Sequence, residues 1–310
     1  MTYKAIEKRW KHASCEAFSQ NAALVDPQNL SDEHKANVQR IGYWKWGPDN
    51  ENRPVLAFDG FGTSHRGFYV IPKALDAKTQ LQFAFLCLTE FSEEPHLTNM
   101  HLQNQQESNI WLKSRESDSR DPKKSPVLSK LCWSTLGYHY DWTARKYDKD
   151  KFSVVPTLLQ KLGASCAIAC GTTLSPEAVI INYYKSKSSM GGHLDDVEYT
   201  MDHPVVSVSL GSQCVFLKGG HTRNESPMEV LLRSGDITIM GGASRLCYHG
   251  VARVLPTSFN IKSEDFDMLP REKWEDFEAV RTYLSSHRIN INLRQVYPTD
   301  PPKSEEKIDG

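Results

Sequence analysis

Two histidines and one aspartate are spaced to bind a metal ion. In the run His193-Leu194-Asp195 the histidine and the aspartate point to one face of a strand, because side chains alternate along it. His249 follows the apolar run at 236–240. Two imidazoles and one carboxylate form a facial triad that holds non-haem Fe(II), whereas structural zinc takes four protein ligands, usually with thiolates. We therefore predict His193, Asp195 and His249 as iron ligands, although an isolated HxD is more often a turn or a core pair.

A second HxD competes for the same role. It is His139-Tyr140-Asp141, which precedes His193 by about the distance that separates His193 from His249. The run WTARKYDKDK that follows it is polar and does not read as a β partner. We expect His139 and Asp141 to be loop or pocket-rim residues.

The segment from Arg288 to Arg294 puts two arginines on one face of a strand. That face reads Arg, Asn, Asn, Arg, and the opposite face reads Ile, Ile, Leu. An edge strand with a solvated polar face would show the same alternation. If the polar face points inward, each guanidinium needs a carboxylate, and a small dicarboxylate would satisfy both. Asn182 and Tyr184 share a face of an earlier strand and could add neutral hydrogen bonds to that ligand.

These residues lie in a region with β periodicity. After residue 176, short β-branched runs are separated by Gly-rich turns, which is typical of an antiparallel sandwich or jelly roll. The runs are AVIINYY (178–184), PVVSVSL (204–210), CVFLK (214–218), MEVLL (228–232), DITIM (236–240) and RININLRQV (288–296). One helix interrupts them, and its apolar face is Trp274, Phe277, Val280 and Leu284.

The N-terminal part has a different pattern. One short amphipathic helix precedes irregular sequence up to residue 72, and apolar residues then recur at helical spacing. We divide the chain into an N-terminal extension with helices at 1–129, a jelly-roll domain at 130–297 and a flexible tail at 298–310.

Composition excludes several classes of protein. The chain has 310 residues and a net charge of −1, which argues against coating nucleic acid by charge alone. Its longest apolar stretch, Phe83–Leu88, is too short to span a bilayer, and we expect no membrane association. Seven cysteines without a CxxC pair fit reduced thiols. We expect an intracellular monomer, with mitochondrion, nucleus and cytoplasm all open as its location.

Together, these motifs resemble the AlkB family of Fe(II)/2-oxoglutarate dioxygenases. The family pattern is N-x-Y, HxD, a distal His and RxNxxxR. The matching residues here are Asn182 and Tyr184, His193 and Asp195, His249, and Arg288, Asn290 and Arg294. The runs LGYHYDWTARKYDKDKF (136–152), GDITIMGGASRL (235–246) and HGVARVLP (249–256) are also similar to the homologue 1 branch. The resemblance covers residues 130–297 and thins towards the N-terminus.

The resemblance implies a fold, cofactors and a reaction. The fold is α+β, a double-stranded β-helix (jelly roll) with supporting helices and an N-terminal helical extension. It holds Fe(II) on the triad and takes 2-oxoglutarate and O₂ as cosubstrates. Arg288, helped by Tyr184, would pair with the far carboxylate of 2-oxoglutarate. The rest of the cosubstrate site would be lined by Asn182, Asn290 and Arg294.

The implied activity is oxidative demethylation, or methyl oxidation, of nucleobases, with tRNA as the first candidate substrate and N6-methyladenine in DNA as the second. Aromatic and basic side chains before the β region suit a flipped-out base and its backbone, although the aromatics could instead form a cap on the barrel. These substrate candidates are Tyr138, Tyr140, Trp142, Arg145 and Lys146.

One position departs from the family pattern. Repair enzymes of the family carry HxDxDE, in which the acidic residue two positions after the metal-binding Asp faces a cationic methylated base. Val197 stands at that position here and cannot complement a positive charge. Three rival hypotheses stay open: a protein (histone) demethylase or hydroxylase of the same chemistry, an inactive nucleic-acid-binding jelly roll, and a zinc hydrolase, which would have no use for inward arginines.

Overall fold

Two facing β-sheets form the centre of the protein, and helices cover their outer surfaces. The computed structural model describes residues 1–13, 21–47, 51–102, 107–116, 121–255 and 270–299. The strands are β1 (Leu24–Val25), β2 (Gln39–Trp44), β3 (Arg53–Ala57), β4 (Phe68–Ile71), β5 (Leu97–Thr98), β6 (Trp133–Asp141), β7 (Lys146–Phe152), β8 (Ala178–Lys185), β9 (Met190–His193), β10 (Val205–Gly211), β11 (Cys214–Lys218), β12 (Met228–Leu232), β13 (Ile237–Met240), β14 (His249–Val254) and β15 (His287–Arg294). The helices are α1 (Tyr3–His12), α2 (Asp32–Lys35), α3 (Ala77–Thr89), α4 (Asn99–Leu102), α5 (Ile110–Glu116), α6 (Thr157–Ala169) and α7 (Trp274–Leu284).

The strand order is that of a jelly roll. The larger sheet runs β2-β3-β4-β13-β10-β15-β8-β6-β5, with β7 paired to β6, and the smaller sheet runs β1-β12-β11-β14-β9. Apart from the parallel pair of β1 and β12, neighbouring strands are antiparallel. The α+β jelly-roll fold that the family resemblance implied is confirmed, and it is one of the two folds that the β periodicity left open.

Alternation along the strands divides the interior into layers. On β15, Ile289, Ile291 and Leu293 face outward into the large core under α3, α6 and α7, whereas the two arginines and two asparagines line a cavity between the sheets. On β11, Val215 and Leu217 pack under α1. The polar face of β15 is therefore an interior face rather than a solvated edge.

The expectation of irregular structure up to residue 72 is wrong. Strands β2, β3 and β4 continue the larger sheet, since β4 pairs with β13. These strands are short, and β2 is an edge strand with mostly exposed side chains, so alternation is weak there. The domain boundary at 129/130 stays a prediction, and residues 300–310 of the predicted flexible tail lie outside the described residues.

A second expectation is also wrong. The polar run after Asp141 does form a β partner, because β7 pairs back onto β6 as a hairpin. Exposed charged side chains on β7 hide the alternation that would have indicated a strand. No helix within the described ranges is long and apolar enough to cross a membrane.

Candidate metal and cosubstrate centre

The three predicted metal ligands meet at one edge of the smaller sheet. His193 ends β9, His249 begins β14, and the two are direct antiparallel partners. The buried Asp195 has its Oδ1 3.8 Å from His193 Nε2 and its Oδ2 3.5 Å from His249 Nε2. The ligand atoms of the triad all lie within 4.8 Å of one another, and no other group of three His, Cys, Asp or Glu in the described part of the chain does so.

Hydrogen bonds orient both imidazoles. Nδ1 of His193 lies 3.0 Å from the carbonyl oxygen of Gly191, and Nδ1 of His249 lies 3.1 Å from that of Cys247. A carbonyl oxygen only accepts, so each Nδ1 carries the proton in these contacts. Each Nε2 is then free to donate its lone pair to a metal ion.

The ionisation of the triad also suits a metal. Burial, followed by the neighbouring His249, lowers the pKa of His193, so that its ring is neutral at pH 7. Burial alone raises the pKa of Asp195, but the charges of Arg294 and the histidines hold that pKa well below its usual range. A carboxylate and imidazole nitrogens on one side of an open position are the donor set that non-haem Fe(II) takes.

The competing HxD lies on strand β6, so the expectation that His139 is a loop or pocket-rim residue is wrong. His139 is buried, and its Nδ1 lies 2.8 Å from Thr135 Oγ1. Asp141 accepts hydrogen bonds from the backbone N–H groups of Thr143 and Ala144 in the turn between β6 and β7. Both side chains make local contacts, and within the described part of the chain neither belongs to a group of three residues with metal-ligand spacing.

Arg288 fits a carboxylate ligand. It is 1% exposed, and its Nη2 donates to Ser209 Oγ at 2.9 Å. Its Nε and Nη1 have no hydrogen-bond partner among the described residues. A buried guanidinium with two unused donors is costly unless an anion pairs with it, so this site fits the far carboxylate of 2-oxoglutarate.

The predicted cosubstrate residues line one cavity of about 50 Å³ beside the triad. The five are Asn182, Tyr184, Arg288, Asn290 and Arg294. Sequence reasoning did not assign roles to Ser207, Ser209 and Asn292. Ser207 and Asn292 line the cavity. Ser209 accepts a hydrogen bond from Arg288, and Ser207 accepts one from Asn290. The alternating serines of PVVSVSL were the signal, since Ser207 and Ser209 lie opposite Asn292 and Asn290 on β15.

The expectation that both arginines need an external dicarboxylate is wrong for Arg294, which is paired within the protein. Its Nη2 lies 2.9 Å from Asp195 Oδ2, and its Nη1 lies 3.2 Å from Glu198 Oε1. The protein thus supplies its carboxylates, and Arg294 holds a metal ligand in place. Its part in the cosubstrate site stays a prediction.

Glu198 is the centre of a buried network that sequence reasoning missed. Besides Arg294, it accepts hydrogen bonds from Arg245 Nη2 at 3.0 Å and from the Tyr147 hydroxyl at 3.2 Å. Arg245 also donates to the backbone carbonyl of Asp195. The β6–β7 hairpin, which carries Tyr147, is therefore joined to the metal-binding aspartate through hydrogen bonds.

A second cavity, of about 400 Å³, is lined by two of the three metal ligands, His193 and Asp195. Three of the predicted substrate residues line it, namely Tyr140, Trp142 and Arg145. Val197 and Asp196 also line this cavity, and Arg145 lies 3.6 Å from the Asp196 carboxylate. The other two predicted residues, Tyr138 and Lys146, are not among the lining side chains.

A jelly roll with a His-Asp-His triad and an unpaired buried arginine beside it defines an iron- and 2-oxoglutarate-dependent oxygenase. The sequence matches the 2OG-Fe(II) oxygenase superfamily over residues 67–294. It is 33% identical to the human nucleic acid dioxygenase ALKBH1, covering 91% of this chain and 76% of the human one. It is 31% identical to the DNA N(6)-methyladenine demethylase ALKBH1A of Arabidopsis thaliana, covering 95% of this chain and 96% of that protein. A shorter match, 32% identical over 56% of this chain and 55% of the relative, is to the tRNA demethylase abh1 of Schizosaccharomyces pombe.

The chain therefore belongs to the AlkB family of Fe(II)/2-oxoglutarate dioxygenases, on the ALKBH1 branch, as the motifs predicted.

Proposed function

We propose that the protein oxidises methyl groups on nucleobases, with tRNA as the first substrate and N6-methyladenine in DNA as the second. The relatives named above act on nucleic acids. The observation that carries the proposal is the second cavity, which is lined by aromatic side chains together with two of the metal ligands, His193 and Asp195. A methylated base that is flipped out of its strand can enter such a pocket.

The residues of this chain divide the work of the reaction. Iron, when bound with 2-oxoglutarate and O₂, would supply the oxidising chemistry for hydroxylation of a methyl group, with succinate and CO₂ as the other products. His193, Asp195 and His249 hold the metal, and Arg288 holds the far carboxylate of the cosubstrate. Arg294 keeps Asp195 ionised and oriented. A hydroxylated N-methyl group is then lost as formaldehyde, whereas a hydroxylated C-methyl group remains on the base.

Incubation with total tRNA tests the proposal. Purified protein would receive Fe(II), 2-oxoglutarate and O₂, and succinate and every modified nucleoside would be measured by mass spectrometry beside His193→Ala. We expect one methylated nucleoside to decrease with the wild-type protein alone. Succinate without any change in nucleosides would favour DNA or protein as substrate, and no succinate with any substrate would favour a binding module.

A protein demethylase is the nearest rival. Charge reversal at Arg145, Lys146 and Lys149, three exposed cations of the hairpin, would separate the two. We expect the triple variant to lose activity on tRNA. If the wild type and the triple variant demethylate a methylated peptide equally well, the result would favour the protein demethylase.

We also propose that the protein works inside the cell as a monomer without membrane association. Light scattering of the purified protein would test the monomer. Imaging of a tagged chain would decide among mitochondrion, nucleus and cytoplasm.

A further inference from the structure

Four aromatic rings outside the cavity touch one another. Tyr199 stacks on Tyr297 with centroids 5.0 Å apart and planes inclined by 15°. Tyr138 contacts Tyr297 at 4.9 Å and Phe152 at 4.9 Å. Tyr199 is 54% exposed and Phe152 is 51% exposed. We call Tyr138, Phe152, Tyr199 and Tyr297 the aromatic platform.

A cation lies directly over the platform. Lys149 Nζ is 4.9 Å from the centroid of the Tyr297 ring. Lys146 and Lys151, on the same strand β7, are also exposed, and the carboxylates of that strand are Asp148 and Asp150. Strand β7 therefore offers more positive than negative charge beside exposed aromatic faces, which is the combination that single-stranded nucleic acid uses for stacking and phosphate contact.

The platform continues the walls of the substrate cavity. Tyr140 and Val197 line that cavity, and both pack on the small buried cluster of Tyr147, Ala178 and Val296. Tyr138 and Tyr297 pack on the same cluster. The cavity lining and the platform therefore share this buried cluster as their support and lie next to each other.

We infer that the platform binds the single-stranded nucleotides adjacent to the target base. A base stacks on the exposed face of Tyr199, and Lys149 contacts a phosphate of the same strand. This inference rests on the proposed function and adds a second contact site to it, outside the cavity. Exposed aromatics that are scattered singly need no such explanation, but a contiguous group does.

Tyr199→Ala tests the inference, with Tyr43→Ala as a matched control. Tyr43 is 58% exposed and has the Arg40 guanidinium 5.0 Å from its ring centroid, but it lies on β2, at the opposite end of the larger sheet from β6. Affinity for an unmodified single-stranded decanucleotide and trinucleotide would be measured by fluorescence anisotropy at fixed salt. Base–aromatic stacking predicts roughly tenfold weaker decanucleotide binding for Tyr199→Ala than for the wild type. The gain in affinity from the trinucleotide to the decanucleotide should also be smaller in this variant than in the wild type. Tyr43→Ala should bind as the wild type does.

Further variants separate stacking from other roles. Tyr199→Phe keeps the ring but loses the hydrogen bond from its hydroxyl to the Tyr147 carbonyl, and we expect near wild-type binding. Lys149→Ala should weaken binding and reduce its salt dependence. Three results would each overturn the inference. Tyr199→Ala could bind the decanucleotide within twofold of the wild type, or Tyr43→Ala could lose as much affinity as Tyr199→Ala does. The third is a changed mass of the Tyr199→Ala protein in solution, which would indicate that the platform is a protein contact. The proposed function fails separately, if the wild-type protein consumes 2-oxoglutarate but changes no nucleic acid.

Discussion

Arg288 shows how a single residue can indicate the chemistry of the ligand that a site binds. A guanidinium that is buried with two donors unused is unfavourable, since each buried donor without a partner costs free energy. Its neighbours Ser209 and Tyr184 offer hydroxyl groups and no carboxylate. The side chain therefore fits an anion, and we expect a carboxylate of 2-oxoglutarate to bind beside it in the cavity.

Arg288→Gln should weaken 2-oxoglutarate binding by about 100-fold, because two charge-assisted hydrogen bonds are lost. Titration calorimetry under anaerobic conditions with Mn²⁺ in place of iron would measure it without turnover. Arg281→Gln is the matched control, since Arg281 forms an exposed ion pair with Glu278 on α7. Equal affinities for the wild type and Arg288→Gln would contradict the assignment.

Val197 puts an uncharged side chain at one position of the substrate cavity. It is an apolar wall residue, and the nearby Asp196 lies opposite the Arg145 guanidinium. Val197→Asp places a carboxylate in the cavity and should raise the preference for a cationic methylated base over a neutral one by about tenfold, since an opposite charge nearby favours the cation. Competition between oligonucleotides that carry N1-methyladenine and N6-methyladenine would measure the ratio; Val197→Asn controls for shape. An unchanged ratio would mean that this side chain does not face the base.

At the scale of elements, helix α1 supports the sheet that carries the metal centre. Its Glu7 side chain accepts a hydrogen bond from the Gly192 N–H, one residue before a metal ligand. Tyr3, Ile6 and Trp10 recur on one face of the helix and pack on the smaller sheet. The sheet that carries both histidines thus depends on the first turns of the chain for its outer layer.

Trp10→Ala should destabilise the protein by about 3–5 kcal/mol, the usual cost of removing a large aromatic side chain from a core. Trp10 is 1% exposed, and its indole N–H donates to Glu229. We also expect weaker Co²⁺ binding at temperatures where the variant is folded, because β9 and β14 lose packing. Thermal unfolding and Co²⁺ absorbance would measure both, with Trp142→Ala as a control that removes a half-exposed indole. A variant with the melting temperature of the wild type would contradict this role of α1.

Over the whole molecule, the sequence predicted what depends on period and spacing. Six strands, the helix at Trp274–Leu284 and the iron triad follow from alternation and from residue types that only a few chemistries use together. The network at Glu198 could not be predicted, because it joins β15, the loop after Asp195, and the hairpin at Tyr147, and their contacts form only in the folded chain. Strand β7 was missed since its charged side chains point to solvent and leave no apolar alternation to detect.

Stability of the whole fold should depend on pH through buried neutral histidines. Burial, with help from the nearby His96, lowers the pKa of His139 to about 4, and burial likewise lowers those of His65 and His287 to about 4. The unfolded chain takes up protons near pH 6.5, before the folded chain does, so the stabilising effect is present above pH 6.5 and is lost as pH falls towards 4. One such histidine contributes a slope of at most about 1.4 kcal/mol per pH unit between those values.

We expect His139→Asn, which retains a polar group for Thr135, to reduce the slope by up to one proton between pH 6.5 and 4. Urea unfolding at several pH values would measure the slope, and His221→Asn, at an exposed histidine, should leave it unchanged. A slope in His139→Asn equal to that of the wild type would mean that His139 takes up its proton in the folded and unfolded states alike.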